Sequence, residues 1–290
     1  MKYPLLAATL LSICVGQQAS AQASKVRALE QEILSEGLAL YESECASWIA
    51  TDVLMAQKPD VSQLGGYLSY ADGDSLRTIF VQRNTATGPL RVLHGFSFGR
   101  ATITPEAFRQ SAARPASERE QRLFSLRQQV MQELKSGQVL GKPYQFPVNT
   151  RPNVVLFDQG ASTRAYVLAG PQEAGVLPIG NDFLMHFTSA GKLQKVERLH
   201  NTYLAMRLPE GDQTVEAGMH SHLPAHPYIT PTDICSLLLY QNTFPAKQHL
   251  VIGKDYVSIF DLPKRQLTFL TRKAFDRINK DQRERHPETN

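Results

Sequence analysis

The residues of this chain best placed to do chemistry stand close together in GMHSHLPAHPYITPTDICSLLLY, residues 218–240. His220 and His222 are one residue apart, and Thr230 and Asp233 open the apolar run that follows. Successive side chains on a strand alternate faces, so the two imidazoles point the same way, about 6–7 Å apart, and can converge on one metal ion. Val215, Ala217 and Met219 are then expected on the opposite, core-facing side. The alternative is a pair of solvent-facing histidines on an edge strand. Thr230, Pro231 and Asp233 also have an account without metal. Thr230 is an N-cap, Pro231 takes the favoured first position and Asp233 completes a capping box. That box fixes a carboxylate in the first turn of a helix, a rigid place from which it can reach a neighbouring strand.

Read together, the spacing is His-x-His, seven residues, Thr, two residues, Asp. It resembles the core motif of the JAMM (MPN-type) metallopeptidases. Threonine stands at 230 where that family has serine, and Leu223 precedes Pro224 where the family has proline directly after the second histidine. The resemblance covers roughly residues 160–270. It implies a zinc ion (Zn2+) held by His220, His222 and Asp233 with a water completing the tetrahedron, and Thr230 as oxyanion donor. It also implies a glutamate from an earlier strand as general base. Glu173, in PQEAGVLPIG, lies at a sequence distance from His220 that suits this role. It reads otherwise as a turn carboxylate, since TRAYVLAG before it is strand-like and Pro178 would interrupt a central strand. Glu216 shares the face of His220 but lies about 13 Å along the strand, and is expected to be exposed. The activity implied is zinc-dependent hydrolysis of a peptide or isopeptide amide in an unidentified peptide or protein substrate. The alternative is a non-catalytic binding or structural module with the same, degenerate fold.

The elements around these residues predict an α+β chain. Apolar residues every three or four positions from Val26 to Val53 mark a long amphipathic helix, or two broken at Gly37. Asp72-Gly73 between two strand-like runs marks a hairpin, and LRVLHGFSF a third strand. A short helix is expected from Thr104-Pro105, and a longer one from Ser117, capped by Glu120 and ending at Gly137. The Pro-rich passage GKPYQFPVNTRP reads as a linker. It divides an N-terminal α+β domain, residues 22–145, from a JAMM-like domain of mixed sheet flanked by helices, residues 146–290. His186, His200 and His226 read as structural or solvated.

Residues 1–21 combine one early lysine, an apolar run from Leu5 to Val15 and Ala-Ser-Ala before Gln22. This is the order of a secretory signal peptide, cleaved after Ala21, and places the mature chain in a periplasm or outside the cell. A lipoprotein would acylate Cys14 behind a small residue, and Ile13 is not small. No later stretch reaches the ~20 apolar residues of a spanning helix. Cleavage leaves Cys45 and Cys235, which form either one disulfide or two buried thiols. A thiol in the first turns of a helix is also a conceivable nucleophile. A net charge of +4 with scattered lysines and arginines is too weak to argue for nucleic acid, and no nucleic-acid partner is expected.

Overall fold

The computed structural model describes residues 5–83, 88–208 and 215–285, with side chains from residue 22 onward. The expected leader therefore lies outside the described side chains. The chain is α+β and divides into two compact units. Among the described residues no helix is long and apolar enough to cross a membrane.

The larger unit comprises residues 37–215 and 230–246. Helix α1 (Leu5–Ala56) runs unbroken through Gly37. The expected hairpin is β1 (Leu64–Asp72) and β2 (Ser75–Gln82), turned by Gly73 at φ +59°, a conformation that costs glycine little. Next come β3 (Arg91–Gly99), β4 (Phe108–Ser111) and β5 (Arg114–Pro115), the last two both paired with β3. The short helix expected at Thr104-Pro105 is instead a turn leading into β4. A single isolated turn has little to hold it, whereas extended backbone lets Phe108 pack on Phe96, ring centroids 5.6 Å apart. Helix α2 (Glu118–Ser136) carries the expected capping box of Ser117 and Glu120.

The start of the Pro-rich passage pairs with the residues just before it in a small hairpin of β6 (Gln138–Val139) and β7 (Lys142–Pro143). Strands β8 (Thr150–Asp158), β9 (Ser162–Pro171), β10 (Leu177–Gly180), β11 (Phe183–Thr188), β12 (Leu193–Arg198) and β13 (Tyr203–Met206) follow. Four of them make an antiparallel sheet in the order β12-β11-β9-β8, while β10 pairs with β13. Pro178 is thus accommodated in a two-stranded ribbon, where its missing N–H breaks no central ladder. Alternation assigns the faces of the four-stranded sheet. Val154, Val167 and Phe183 enter one core with Leu68 and Ile79 of the first sheet and Leu123 of α2. Val155, Tyr166 and Leu184 face the other way, onto Leu40 of α1 and Cys235 of α3 (Pro231–Leu239). Because one core spans both sheets, the boundary expected at residues 145/146 falls inside this unit. No disulfide joins Cys45 and Cys235. Burial pushes the Cys235 thiol well above its ordinary range, which opposes a nucleophilic role.

The smaller unit comprises residues 1–36, 216–229 and 247–290. Its sheet runs β14 (Ala217–Ser221), β15 (Gln248–Ile252), β16 (Tyr256–Asp261), β17 (Gln266–Thr271), with α4 (Arg272–Arg285) after it. β14 is parallel to β15, so the chain between them must cross over, and that crossover carries α3. Val251, Val257 and Phe260 are buried in this unit. Met219 is not core-facing as expected. It is 59% exposed, and the histidine side of β14 is the more enclosed one. His220 hydrogen-bonds both His222 and His249, which offsets the cost of enclosing these rings.

Candidate metal centre

In the smaller unit the period of β14 does bring His220 and His222 to one side, with Nε2 atoms 2.8 Å apart. The His222 main-chain N–H donates to Ile252 O at 3.0 Å, which extends the ladder one residue past the strand. The His222 Nδ1 faces two main-chain carbonyls, those of Tyr228 at 2.7 Å and His226 at 3.0 Å. Two acceptors require that Nδ1 carry the proton, so the neutral ring presents its Nε2 lone pair to His220. The His220 Nδ1 lies 2.8 Å from Nε2 of His249, a fully buried ring on β15.

In the larger unit Thr230 caps α3 with extended backbone, φ −99° and ψ 161°, Pro231 follows, and Asp233 closes the box. The Asp233 Oδ2 accepts from both the main-chain N–H and the hydroxyl of Thr230, each at 2.8 Å. Its other oxygen, Oδ1, lies 3.3 Å from Nε2 of His200. The His200 Nδ1 in turn lies 2.6 Å from Oδ1 of Asp182, a buried carboxylate that also accepts the Thr232 hydroxyl. Burial alone would lower the His200 pKa, but the charges of Asp182 and Asp233 raise it to about 11.

His200 and Asp233 of the larger unit and His220 and His222 of the smaller one are a group of donors that could hold a metal ion. The donor chemistry fits: three imidazoles and a carboxylate suit a borderline-soft divalent ion. A tetrahedral ion with metal–nitrogen distances of about 2.0–2.1 Å spaces its ligands by roughly 3.3 Å. The 3.3 Å between His200 and Asp233 matches that spacing. The 2.8 Å between His220 and His222 is a hydrogen-bond distance that has to open slightly. Each histidine has its second nitrogen held: His200 by Asp182, His222 by carbonyls and His220 by His249. Such outer partners orient imidazole ligands and fix their tautomers.

Three of the residues singled out in the sequence, His220, His222 and Asp233, are in the group, and Glu173 and Thr230 are not. Glu173 lies in the turn after β9, 43% exposed, and pairs with Arg207 at 2.8 Å. Thr230 adjoins the group, but its hydroxyl proton is committed to Asp233. Glu216 is exposed and meets Lys247 at 3.3 Å, as expected. The His226 ring is outside the group. His200 is the member that sequence reasoning missed. It sits just past β12, 20 residues before His220, and no local spacing marks it. Comparison with known proteins finds no matching family model, no curated relative and no similar solved structure.

Proposed function

We propose that this is an exported protein that binds one zinc ion through His200, His220, His222 and Asp233, as a metal-stabilised binding or structural module and not as a hydrolase. The reading rests chiefly on His200, whose Nε2 stands 3.3 Å from Asp233 Oδ1, an ion pair while the ring is protonated and a ligand pair once zinc displaces that proton. Structural zinc sites are closed by four protein ligands, whereas catalytic ones keep a position for water. Zinc in such a site contributes folding free energy by tying its ligands together. The chain's own groups prepare it: the Tyr228 and His226 carbonyls hold the His222 tautomer, Asp182 aims His200, and Thr230 holds Asp233. Export rests on the charged, apolar and small-residue order of residues 1–21.

A second reading is the hydrolase that the JAMM-like spacing implies. It draws support from the Asp182–His200 pair, because a carboxylate-backed imidazole can move a proton and could stand in for the distant glutamate. In that reading His200 is not a ligand. The chain from Gln22, made without a histidine tag and dialysed, is assayed for metal by atomic emission. Near one zinc per chain is expected, lost in His222→Ala and bound far more weakly in His200→Ala. Full zinc binding by His200→Ala together with loss of amide hydrolysis would favour the hydrolase. No zinc after reconstitution would leave the four residues as a hydrogen-bonded network.

A further inference from the structure

Away from the metal ligands, the larger unit encloses a cavity of about 340 Å³ lined by Glu44, Trp48, Tyr67, Arg151, Asn153 and Tyr240, among others. Glu44 and Trp48 are four apart on α1 and so share a face. Glu44 is only 2% exposed. The Asn153 amide donates to its Oε2. The Asn153 side chain is itself oriented by Tyr67, whose hydroxyl donates to Asn153 Oδ1 at 2.7 Å. The Trp48 and Tyr240 rings meet edge to face, centroids 5.5 Å apart, and form a corner of the cavity. Trp48 is 40% exposed, which gives the corner an open side.

We propose that this cavity binds a small organic cation, a protonated or methylated amine, with its charge against Glu44 and its alkyl groups against Trp48 and Tyr240. The size is at the lower end of small-molecule sites, about 300–1,000 Å³. A carboxylate has about four lone-pair sites, so the single donor from Asn153 leaves room for an ammonium. The faces of indole and phenol rings carry negative potential and attract a desolvated cation. The nearby cations are otherwise engaged. Arg127 stacks over the Tyr67 ring at 4.7 Å and donates to the Val154 carbonyl, and Arg151 is exposed, with its charge screened by water. Burial holds the Glu44 carboxyl up at about 7 even though Asn153, Arg127 and Trp48 pull it down, so a cation bound beside it would favour the ionised form. A neutral ligand of the same size forms no ion pair with that carboxylate, and an anionic one is repelled by it.

Trp48 is the chain's single tryptophan, so its emission reports the cavity directly. The full chain is titrated with choline, then with butylamine, then with methyl glucoside as a neutral ligand. A saturable change in emission is expected for the amines at concentrations on the order of 10 mM or below, and none for the glucoside. Glu44→Gln is expected to weaken amine binding about tenfold or more. Its thermal melt shows whether it folds. Should it fail to melt cooperatively, Tyr240→Leu decides, since losing one wall must also weaken binding. The proposal is overturned by no saturation with either amine, by equal binding of the glucoside, or by unchanged affinity in the deciding variant.

Discussion

The Nδ1 atom of His200 lies 2.6 Å from Oδ1 of Asp182, and this contact turns the opposite nitrogen of the ring toward Asp233. Asp182 thus stands behind the proposed ligand His200 without belonging to the group itself. Replacing it by asparagine keeps the shape but removes the charge that orients the imidazole and strengthens it as a donor. Removing such a partner typically lowers metal affinity 10- to 100-fold, about 1.4–2.7 kcal/mol. Asp182→Asn is therefore expected to hold zinc that much more weakly in competition with a chromophoric chelator. Unchanged affinity would take His200 out of the ligand set.

His222 and His226 separate a ring from a main chain. His226 serves the group through its carbonyl oxygen, 3.0 Å from His222 Nδ1, and that oxygen survives replacement of the side chain. His226→Ala should keep bound zinc near the wild-type level, while His222→Ala should lose it. Metal content of the two purified variants checks the contrast. Loss of zinc in both would mean that the 223–229 loop depends on the His226 ring for its path.

Acid stability rests on a residue far from either site in sequence. Glu120 is fully buried and accepts from Arg114, from the Ser117 main-chain N–H and from the Tyr70 hydroxyl. Burial would raise its pKa, but these partners hold it at about 2, below the ordinary value of 4.5. A carboxyl whose pKa falls on folding stabilises the native state above its unfolded value. That contribution fades as pH drops from 4.5 toward 2. It is at most on the order of 3 kcal/mol at neutral pH. Urea midpoints for the wild type should fall across that window. Glu120→Gln should start lower and decline less steeply, and a parallel decline would assign the acid sensitivity to other carboxylates.

The legible parts of this chain were those written in local pattern. The Asp72-Gly73 hairpin, the Ser117/Glu120 box, the Thr230/Asp233 box and the pairing of His220 with His222 all depend on residues a few positions apart. What escaped depends on the ring of a distant residue or on which face packs. His200 joins the group through strand pairing and a buried Asp182, neither of which leaves a mark near position 200. The side assignment of β14 failed for a related reason. Methionine was expected inside on apolarity, yet a hydrogen-bonded run of His220, His222 and His249 is what the enclosed side holds. The Pro-rich passage read as a domain edge because proline punctuates chains. Phe146, within it, packs on the core shared by both sheets, so it is a bend inside one unit.

Gly37 illustrates the same limit and supplies a test of packing. On pattern alone a glycine inside a helix is a weak point, and alanine there should stabilise by about 1 kcal/mol. The helix nevertheless continues through it, because the missing side chain makes room for α3. A Cβ at position 37 would stand 2.7 Å from Cβ of Ile234 and 2.8 Å from its Cγ2. Ile234 is fully buried and β-branched at the contact, so it has no flexible end to swing away. Overpacking of this kind costs roughly 1–3 kcal/mol, which outweighs the gain in helix propensity. Gly37→Ala is therefore expected to lower the melting temperature. Adding Ile234→Ala to it should recover part of the loss relative to the sum of the two single changes, because it removes the close Cγ2 and Cδ1 while leaving Cβ in place. Strict additivity in that double-mutant cycle would mean that the two positions are not in contact and that the glycine serves some other purpose.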